Sequence, residues 1–563
     1  MSATDALFQR YGPVYRTYAT GTVMIATISV VLSTTIVNVA IPSVMGAFGI
    51  SAVQAQWLST GFLAAMTATM LLGDWADRAF GLRLSLNVAL AVFLAGSVLG
   101  GLAPNHGILT LARVVQGAAA GAVQPLSMIL LFRVFPPDKR GAAMGIFGIG
   151  VVLAPALGPW VGGLLIDAFD WRWVFYLGLP PGILAMVLAN LFVPGRDAAG
   201  PRPGFDWMGL GLLVAFLASL LNALTNAQRL GWSSDPILLQ FAISVAAATG
   251  FIFWELRTAK PMLDMRLFRN IPFASASVVA FIMGAGMFGS TYLVPLFVQT
   301  IQGFTPTQAG LLLMPSGFVL VLIFPLAGRL SDKLPAALLI GLGMALFAWS
   351  SWLTASVEIN TGFWTLAWWT ILSRVGLGFV FPAISAGPLK TLPRELIGQG
   401  SGAMNFIRQL GGAFGVNLLS VFMERRTMLH ADAFASTQTS DNPATMALLQ
   451  EVGGIMRVAG LPDTQVMAGA AQFLGQTIVI QANTAAFRDG FIVVTLVFLI
   501  ALIPTAIMHY AVRRTTSSRA VSPPAGSRAR DPVQQQGLAA MPDRIPPAPS
   551  MSRASLAPRP PPR

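Results

Sequence analysis

Gly73-Asp74-Trp75-Ala76-Asp77-Arg78 and Gly328-Arg329-Leu330-Ser331-Asp332-Lys333 share one pattern, a Gly, an Asp four places on, and then a base. Each closes a long block without any Lys, Arg, Asp or Glu, Thr17 to Gly73 in the first case and Asn270 to Gly328 in the second. A helix crossing a bilayer takes ~20 mostly apolar residues, so each block is long enough for a hairpin of two spans. A single Arg inside an otherwise apolar run follows each block, Arg113 and Arg374. Duplication of a six-helix unit is the simplest explanation of this repeat.

Shorter charge-free runs occupy Leu84 to Ala112, Gly141 to Ile166, Trp173 to Gly195, Trp207 to Gln228, Pro236 to Trp254, Leu334 to Val357 and Phe491 to Val512. With the runs interrupted once by Arg113, Arg374 and Arg408, the total is fourteen spans, the pair between residues 195 and 270 being inserted between the two copies. The whole chain agrees: 55% of its 563 residues are hydrophobic and 10% charged, against roughly 25% charged in a soluble domain. This is an all-α polytopic membrane protein, with the lipid bilayer as its first partner. Lys and Arg in short loops stay on the cytoplasmic side. A cytoplasmic N-terminus puts Arg78, Arg83, Lys139, Arg140, Lys333 and Lys390 inside, and even parity returns the C-terminus there too. The expected divisions are a cytoplasmic N-terminus (1–19), a first bundle (20–194), the inserted pair (195–270), a second bundle (271–510) with an extracytoplasmic loop at 424–489, and a tail (511–563). Within that loop Val466 to Ala482 is apolar, yet Gln472, Gln476 and Gln481 point to a helix on the surface or on a partner.

Several chemistries are excluded. Cys is absent and the three histidines, His106, His430 and His509, are far apart in sequence, so no metal site or cofactor is expected. No phosphate-binding Gly-x-x-x-x-Gly-Lys-[Ser/Thr] loop occurs, which rules out an ATP-driven pump in one chain. Gly284-Ala-Gly286-Met-Phe-Gly289 lies mid-membrane with no strand before it and reads as close helix packing. The net charge of +13 does not signal nucleic acid: nine Arg against Asp531 and Asp543 put +7 of it in the Pro-rich tail after Ala511, which should be disordered and near anionic headgroups. No nucleophile, base and orienting group assemble, so an enzyme is not expected.

The polar residues of the spans are the candidate site. An Arg at a helix centre costs ~2.5–3.5 kcal/mol on the insertion scale, so Arg113, Arg374 and Arg408 must face polar partners or a wet cavity. Arg113, followed by Gln116 and Gly117, stands out as the residue for a substrate- or proton-linked charge; Gln124, Asn405 and Gln409 join it with Arg408 as cavity residues. The first helix offers neutral groups, Ser33, Thr34, Thr35 and Asn38. Carboxylates are absent from the helix centres; Asp74, Asp77 and Asp332, with Arg78 and Lys333, sit at helix ends and suit gating or coupling.

These motifs together resemble the fourteen-helix drug:proton antiporter branch of the major facilitator superfamily, EmrB/QacA type. Leu32 to Pro42 resembles the branch signature of the first helix, and Gly73 to Arg83 the loop motif between helices two and three. Arg113-Val-Val-Gln116-Gly117 resembles the fourth-helix motif, and Gly150, Pro155, Gly158, Pro159, Gly162 and Gly163 the antiporter motif of the fifth. Trp171 to Tyr176, Asp206-Trp207 and Asn405-Phe-Ile-Arg408-Gln409 extend the likeness. It implies the major facilitator fold, two six-helix bundles plus two inserted helices, and a secondary exporter of small amphipathic compounds by alternating access, coupled to protons. It also implies the inner membrane of a two-membraned cell, with a periplasmic adaptor and an outer-membrane channel meeting the 424–489 segment. Ser33 stands where the branch has Asp, and the loop motif carries one extra residue before Gly81. Arg without carboxylate in the cavity favours a neutral or anionic substrate over a lipophilic cation. Two rival readings remain, a metabolite or organic-anion facilitator or importer, and a non-transporting membrane scaffold or sensor.

Overall fold

The structure is a computed structural model. It describes residues 3–50, 52–196 and 203–521, the side chains of residues 38, 52, 53, 56, 152–157, 159, 160, 228, 229, 306, 307, 394 and 515–521 being outside that description. Among the described residues no strand forms and fourteen helices trace the expected spans. They are α1 (Tyr15–Phe48), α2 (Ala52–Thr69), α3 (Leu82–Gly101), α4 (His106–Val134), α5 (Arg140–Ala168), α6 (Leu179–Phe192), α7 (Trp207–Leu230), α8 (Asp235–Arg257), α9 (Ile271–Thr300), α10 (Pro306–Lys333), α11 (Ala336–Thr354), α12 (Phe363–Ala386), α13 (Ile397–Ala435) and α14 (Asp463–Ile500). Twelve, among the described residues, are long and apolar enough to cross a membrane, α6 when taken with the preceding turn from Trp173 and α14 with its continuation to Arg514; α2 and α5, of 18 and 29 residues, include side chains outside the description.

Hydrocarbon offers backbone groups no partner, so each span closes its hydrogen bonds internally, and the ends carry sequence-encoded caps. Asn105, Asp206 and Asn270 accept the amides of Ile108, Gly209 and Phe273 at 3.0, 2.8 and 3.0 Å. Thr305 and Gln308 form a capping box ahead of α10. Gly49, at φ +63°, ends α1, and Gly81, at φ +83°, turns the chain between the short helix Leu72–Phe80 and α3.

The duplication seen in the sequence is a duplication of packing. In the first half α1 packs on α5 and α6, α4 on α2 and α3, and α3 on α6; in the second α9 packs on α13 and α14, α12 on α10 and α11, and α11 on α14. The halves meet through α5 on α10 and α12, and through α13 on α2, α4 and Leu72–Phe80. These contacts gather at the end that carries Asp77 and Asp332, called the basic end here. On α5, Gly141 and Gly145 allow backbone to approach backbone: a Cβ on Gly141 would meet the Gly328 carbonyl at 2.7 Å, and one on Gly328 the Gly141 carbonyl at 2.6 Å. The inserted α7 and α8 pack on each other, and α7 leans on both α2 and α13.

Residues 1–512 form one compact unit and 513–563 a second. The N-terminal residues are not a plain tail: Ala3–Tyr11 is helical and buries Leu7. The segment 424–489 also departs from expectation. Val466 to Ala482 is no separate surface helix, because α14 runs unbroken from Asp463 and α13 continues to Ala435. At ~1.5 Å per residue both rods approach 60 Å, about twice a ~30 Å hydrocarbon core. Their overshoot, with Pro443–Val458 between them, forms a helical projection. Asp489 ties it, accepting from Arg426 at 2.6 Å and pairing with His430 at 2.7 Å. The expected disorder of the tail does not hold at its start: residues 511–521 belong to the helix Leu502–Val521, which carries the last span on beyond α14; beyond Val521 the tail lies outside the described residues.

Because the chain has no Cys, the α5–α10 seam can be probed cleanly with Ser331→Cys. Adding Gly328→Val should wedge the seam at a cost of roughly 1–3 kcal/mol, about 5- to 150-fold in open population, raising maleimide labelling of position 331 correspondingly. Unchanged labelling would show that the seam is not a contact of the resting protein.

Candidate functional site

The expected site residues separate into three groups. The first surrounds Arg113, which is fully buried in the first half. Its Nε donates to the Leu58 carbonyl at 3.1 Å, one Nη to Gln116 Oε1 at 2.9 Å and the other to the Ser33 carbonyl at 3.0 Å. Its guanidinium also stacks 4.1 Å over the Phe62 ring. Gln116 passes the chain on, donating to Ser97 at 2.8 Å. Hydrogen bonds to a charged group contribute roughly 1.5–3 kcal/mol each, so three of them offset the insertion cost without any cavity. Ser33 serves through its backbone, and Thr34 donates to the Val31 carbonyl at 2.6 Å. The side chain of Asn38 lies outside the described residues.

The second group joins the halves. Arg408 on α13 donates to Asn405 at 2.7 Å and to Gln124 on α4 at 3.4 Å, and lies 5.0 Å over Phe381 of α12. Asn405 and Ser401 both donate to Met128 Sδ, at 2.9 and 3.4 Å. Gln409 is buried beside them. Thus Gln124, Asn405 and Arg408 come together, whereas Arg113 sits eleven residues back along α4 from Gln124, ~16 Å of helix rise. Arg374 mirrors Arg113 in the second copy, on α12 where Arg113 is on α4, and donates to Thr291 of α9 at 2.9 Å.

The third group lies at the basic end, where the halves meet. Asp332 of α10 accepts from the amides of Gly141 and Ala142, the first turn of α5, at 2.7 and 2.9 Å. A carboxylate at a helix N-terminus gains from the unpaired amides and the dipole. Lys390 flanks it at 3.6 Å. At the duplicate position Asp77 pairs with Arg133 at the end of α4. Asp74 pairs with Arg78 and presses on the first turn of α13, where a Cβ on Gly398 would collide with its carboxylate. Burial pushes the Asp74 carboxyl up, while Arg78 and Arg133 pull it back down. Lys333 is exposed.

The antiporter motif faces the other way. A Cβ on Gly150, Gly158 or Gly162 would meet Ile28, Thr35 or Ile36 of α1, at 3.3, 2.6 and 2.6 Å, and Gly163 has open space. Pro155 and Pro159 side chains are outside the described residues. These glycines therefore pack α5 within its own half, and the seam between halves uses Gly141, Gly145 and Gly328. The signal missed in the sequence was the Gly141-x-x-x-Gly145 spacing, which brings small residues to one face. A cavity of about 520 Å³ opens at the basic end, lined by Arg16, Arg133, Arg140 and Lys390 among others; Arg113, Arg374 and Arg408 do not line it.

Comparison with known proteins fits this geometry. The Major Facilitator Superfamily model matches residues 23–416. The multidrug export protein EmrB of Escherichia coli (strain K12) is 30% identical over 82% of this chain and 90% of its own. The fatty acid resistance protein FarB of Neisseria gonorrhoeae is 30% identical over 84% and 92%. Among solved structures, the proton:xylose symporter XylE superposes with a TM-score of 0.54 at 16% identity, covering 75% of this chain and 91% of that one. The human organic anion transporter MFSD10 gives 0.53 at 13%, covering 86% and 99%. With its family model spanning most of the chain and its duplicated halves packed in matching order, this multi-pass membrane protein belongs to the Major Facilitator Superfamily, on the EmrB-type branch.

Proposed function

We propose that the protein is a secondary exporter of neutral or anionic amphipathic compounds, alternating between two states by rocking one half on the other. The observation that carries this reading is Asp332 capping α5 from the opposite half. A carboxylate on two amides is strong enough to hold the basic end shut and breakable as a unit, because water satisfies all three groups when the halves part. The relatives named for drug export and fatty acid resistance support the direction and the class of cargo. Membership of the branch supports proton-coupled antiport; with Ser33 in place of an acid, its carrier would lie outside the first helix.

Arg408 is the better substrate contact. It reaches across the halves to Gln124, a partner it gives up when they separate, whereas all of Arg113's bonds stay within one half. Arg113, with Gln116, positions α1 against α2 and α4. On this reading the basic end and both termini face the cytoplasm of an inner membrane, which the Lys and Arg of the short loops support. The projection of α13 and α14 then stands outside it, and its exposed Met428, Leu429, Ile455 and Val458 suit a periplasmic adaptor leading to an outer-membrane channel.

In proteoliposomes, an anionic or neutral dye should leave faster than a cationic one and drive a pH change. Flux without a pH change would instead make the protein a facilitator, and no flux a scaffold. Arg408→Gln should lower anionic-dye export by about 10- to 100-fold, the worth of one charge-assisted contact, at unchanged thermal stability. Arg113→Ala should chiefly lower the melting temperature in detergent; an anionic-export loss equal to that of Arg408→Gln at unchanged stability would return the substrate role to Arg113.

A further inference from the structure

We propose that Asp206 and Glu255 share a single proton, and that this carboxyl pair is the clasp of a strap joining the two halves at the basic end. Asp206 caps α7 and Glu255 lies in the last turn of α8, both more than nine-tenths buried. Asp206 Oδ1 accepts from the Gly209 amide and from Trp254 Nε1, each at 2.8 Å. Glu255 Oε2 accepts from the Leu263 amide at 3.2 Å. The other oxygen of each, Asp206 Oδ2 and Glu255 Oε1, is buried with no hydrogen-bond partner among the described residues. Both face the same space: they lie 2.5 and 2.8 Å from the point where a Cβ on Gly209 would sit.

Two buried carboxylates converging on one space are not both ionised without something between them. Among the described residues no cation is paired with either carboxylate. Arg257 stacks on Phe253 at 3.8 Å, and the Lys260 ammonium lies against Gly204. Asp264 adds a further negative charge and is occupied by the Arg266 amide. The elements packed against α7 are neutral at this level: α2 has no charged residue, and α13 has none before Arg408. In the neighbouring helix Leu72–Phe80, Asp74 and Asp77 are paired with Arg78 and Arg133. One proton resolves the geometry. Asp206, with two donors on Oδ1, keeps the charge; Glu255 keeps the proton on Oε1 and donates it to Asp206 Oδ2.

The strap is the backbone on either side. Before α7, the Pro203 carbonyl accepts from Trp75 at 3.2 Å and Phe205 packs on the Trp75 ring at 4.5 Å, fixing this end to the first half. After α8, the Asp264 amide donates to Gln399 of α13, which donates to the Pro261 carbonyl, both at 3.2 Å, fixing that end to the second half. Asp206 and Glu255 close the loop between these anchors. When the proton leaves for the water at the basic face, two carboxylates repel where one hydrogen bond stood, and the anchors are free to separate. The clasp thus favours the closed basic end at low pH and loses hold as pH rises. It stands whether or not export is driven by protons.

The test uses the full chain in lipid nanodiscs. Infrared spectra at neutral pH should show a protonated-carboxyl stretch that Glu255→Gln removes. Spin labels on Leu84→Cys and Leu334→Cys, exposed at the basic ends of the two halves, should report a separated population that grows roughly fivefold or more from about pH 6 to about pH 9. With Glu255→Gln, whose amide can still donate to Asp206, that population should stay flat. Asp206→Asn, read the same way, carries the test if Glu255→Gln does not fold. The proposal is overturned if the carboxyl band survives in the folded variant, if the separation still follows pH without Glu255, or if added sodium at fixed pH closes the wild-type end as acid does, which would make the site a cation site.

Discussion

Inside a bilayer every polar group must find its partner within the protein, and most of this structure can be read as the consequence. A guanidinium has five donors and no neutral alternative, so an Arg in a span organises its surroundings around itself. Arg113 gathers the carbonyls of Leu58 and Ser33, which belong to α2 and α1, and so pins three helices of the first half to one another. Arg374 makes the equivalent connection from α12 to α9. What looks in isolation like a charge awaiting a ligand is here bonded within its own half, and such rivets would let each half move as a body in the rocking proposed above.

The contrast between the rivets and the seam is one of reversibility. Contacts that must persist are buried and saturated by helices of the same half. Contacts that must break join a carboxylate to helix amides, as at Asp332, or a side-chain amide to a guanidinium, as at Gln124 and Arg408, and water can replace every one of them. The backbone-to-backbone approach of Gly141, Gly145 and Gly328 adds proximity without interlocking side chains, so parting the seam leaves no rotamer to reset.

Fold was legible in the sequence because charge-free length is a blunt, reliable ruler in hydrocarbon, and because duplication left Gly73 to Arg78 and Gly328 to Lys333 as matching marks. The site was legible only in part. Sequence spacing located Arg113 and Arg408 on helices, but which carbonyls would converge on a guanidinium depends on helices distant in sequence. The spacing of the family glycines on α5 permits close approach to a neighbouring helix; the azimuth that turns them to α1 rather than to the seam is a tertiary property. The overshooting helices were obscured for a different reason: polar Gln residues in the outer part of α14 resemble a surface helix locally, and only continuity with the last span shows a single rod.

That continuity has a mechanical consequence. The first turn of α13 rests on Asp74 at one surface of the membrane, and its far end is bolted to α14 by Arg426, His430 and Asp489 beyond the other. A stiff rod ~58 Å long converts a tilt of ~10° at its base into a sweep of ~10 Å at its tip. Under the proposed rocking such a rod would act as a lever, carrying movement at the basic end to the opposite side of the bilayer.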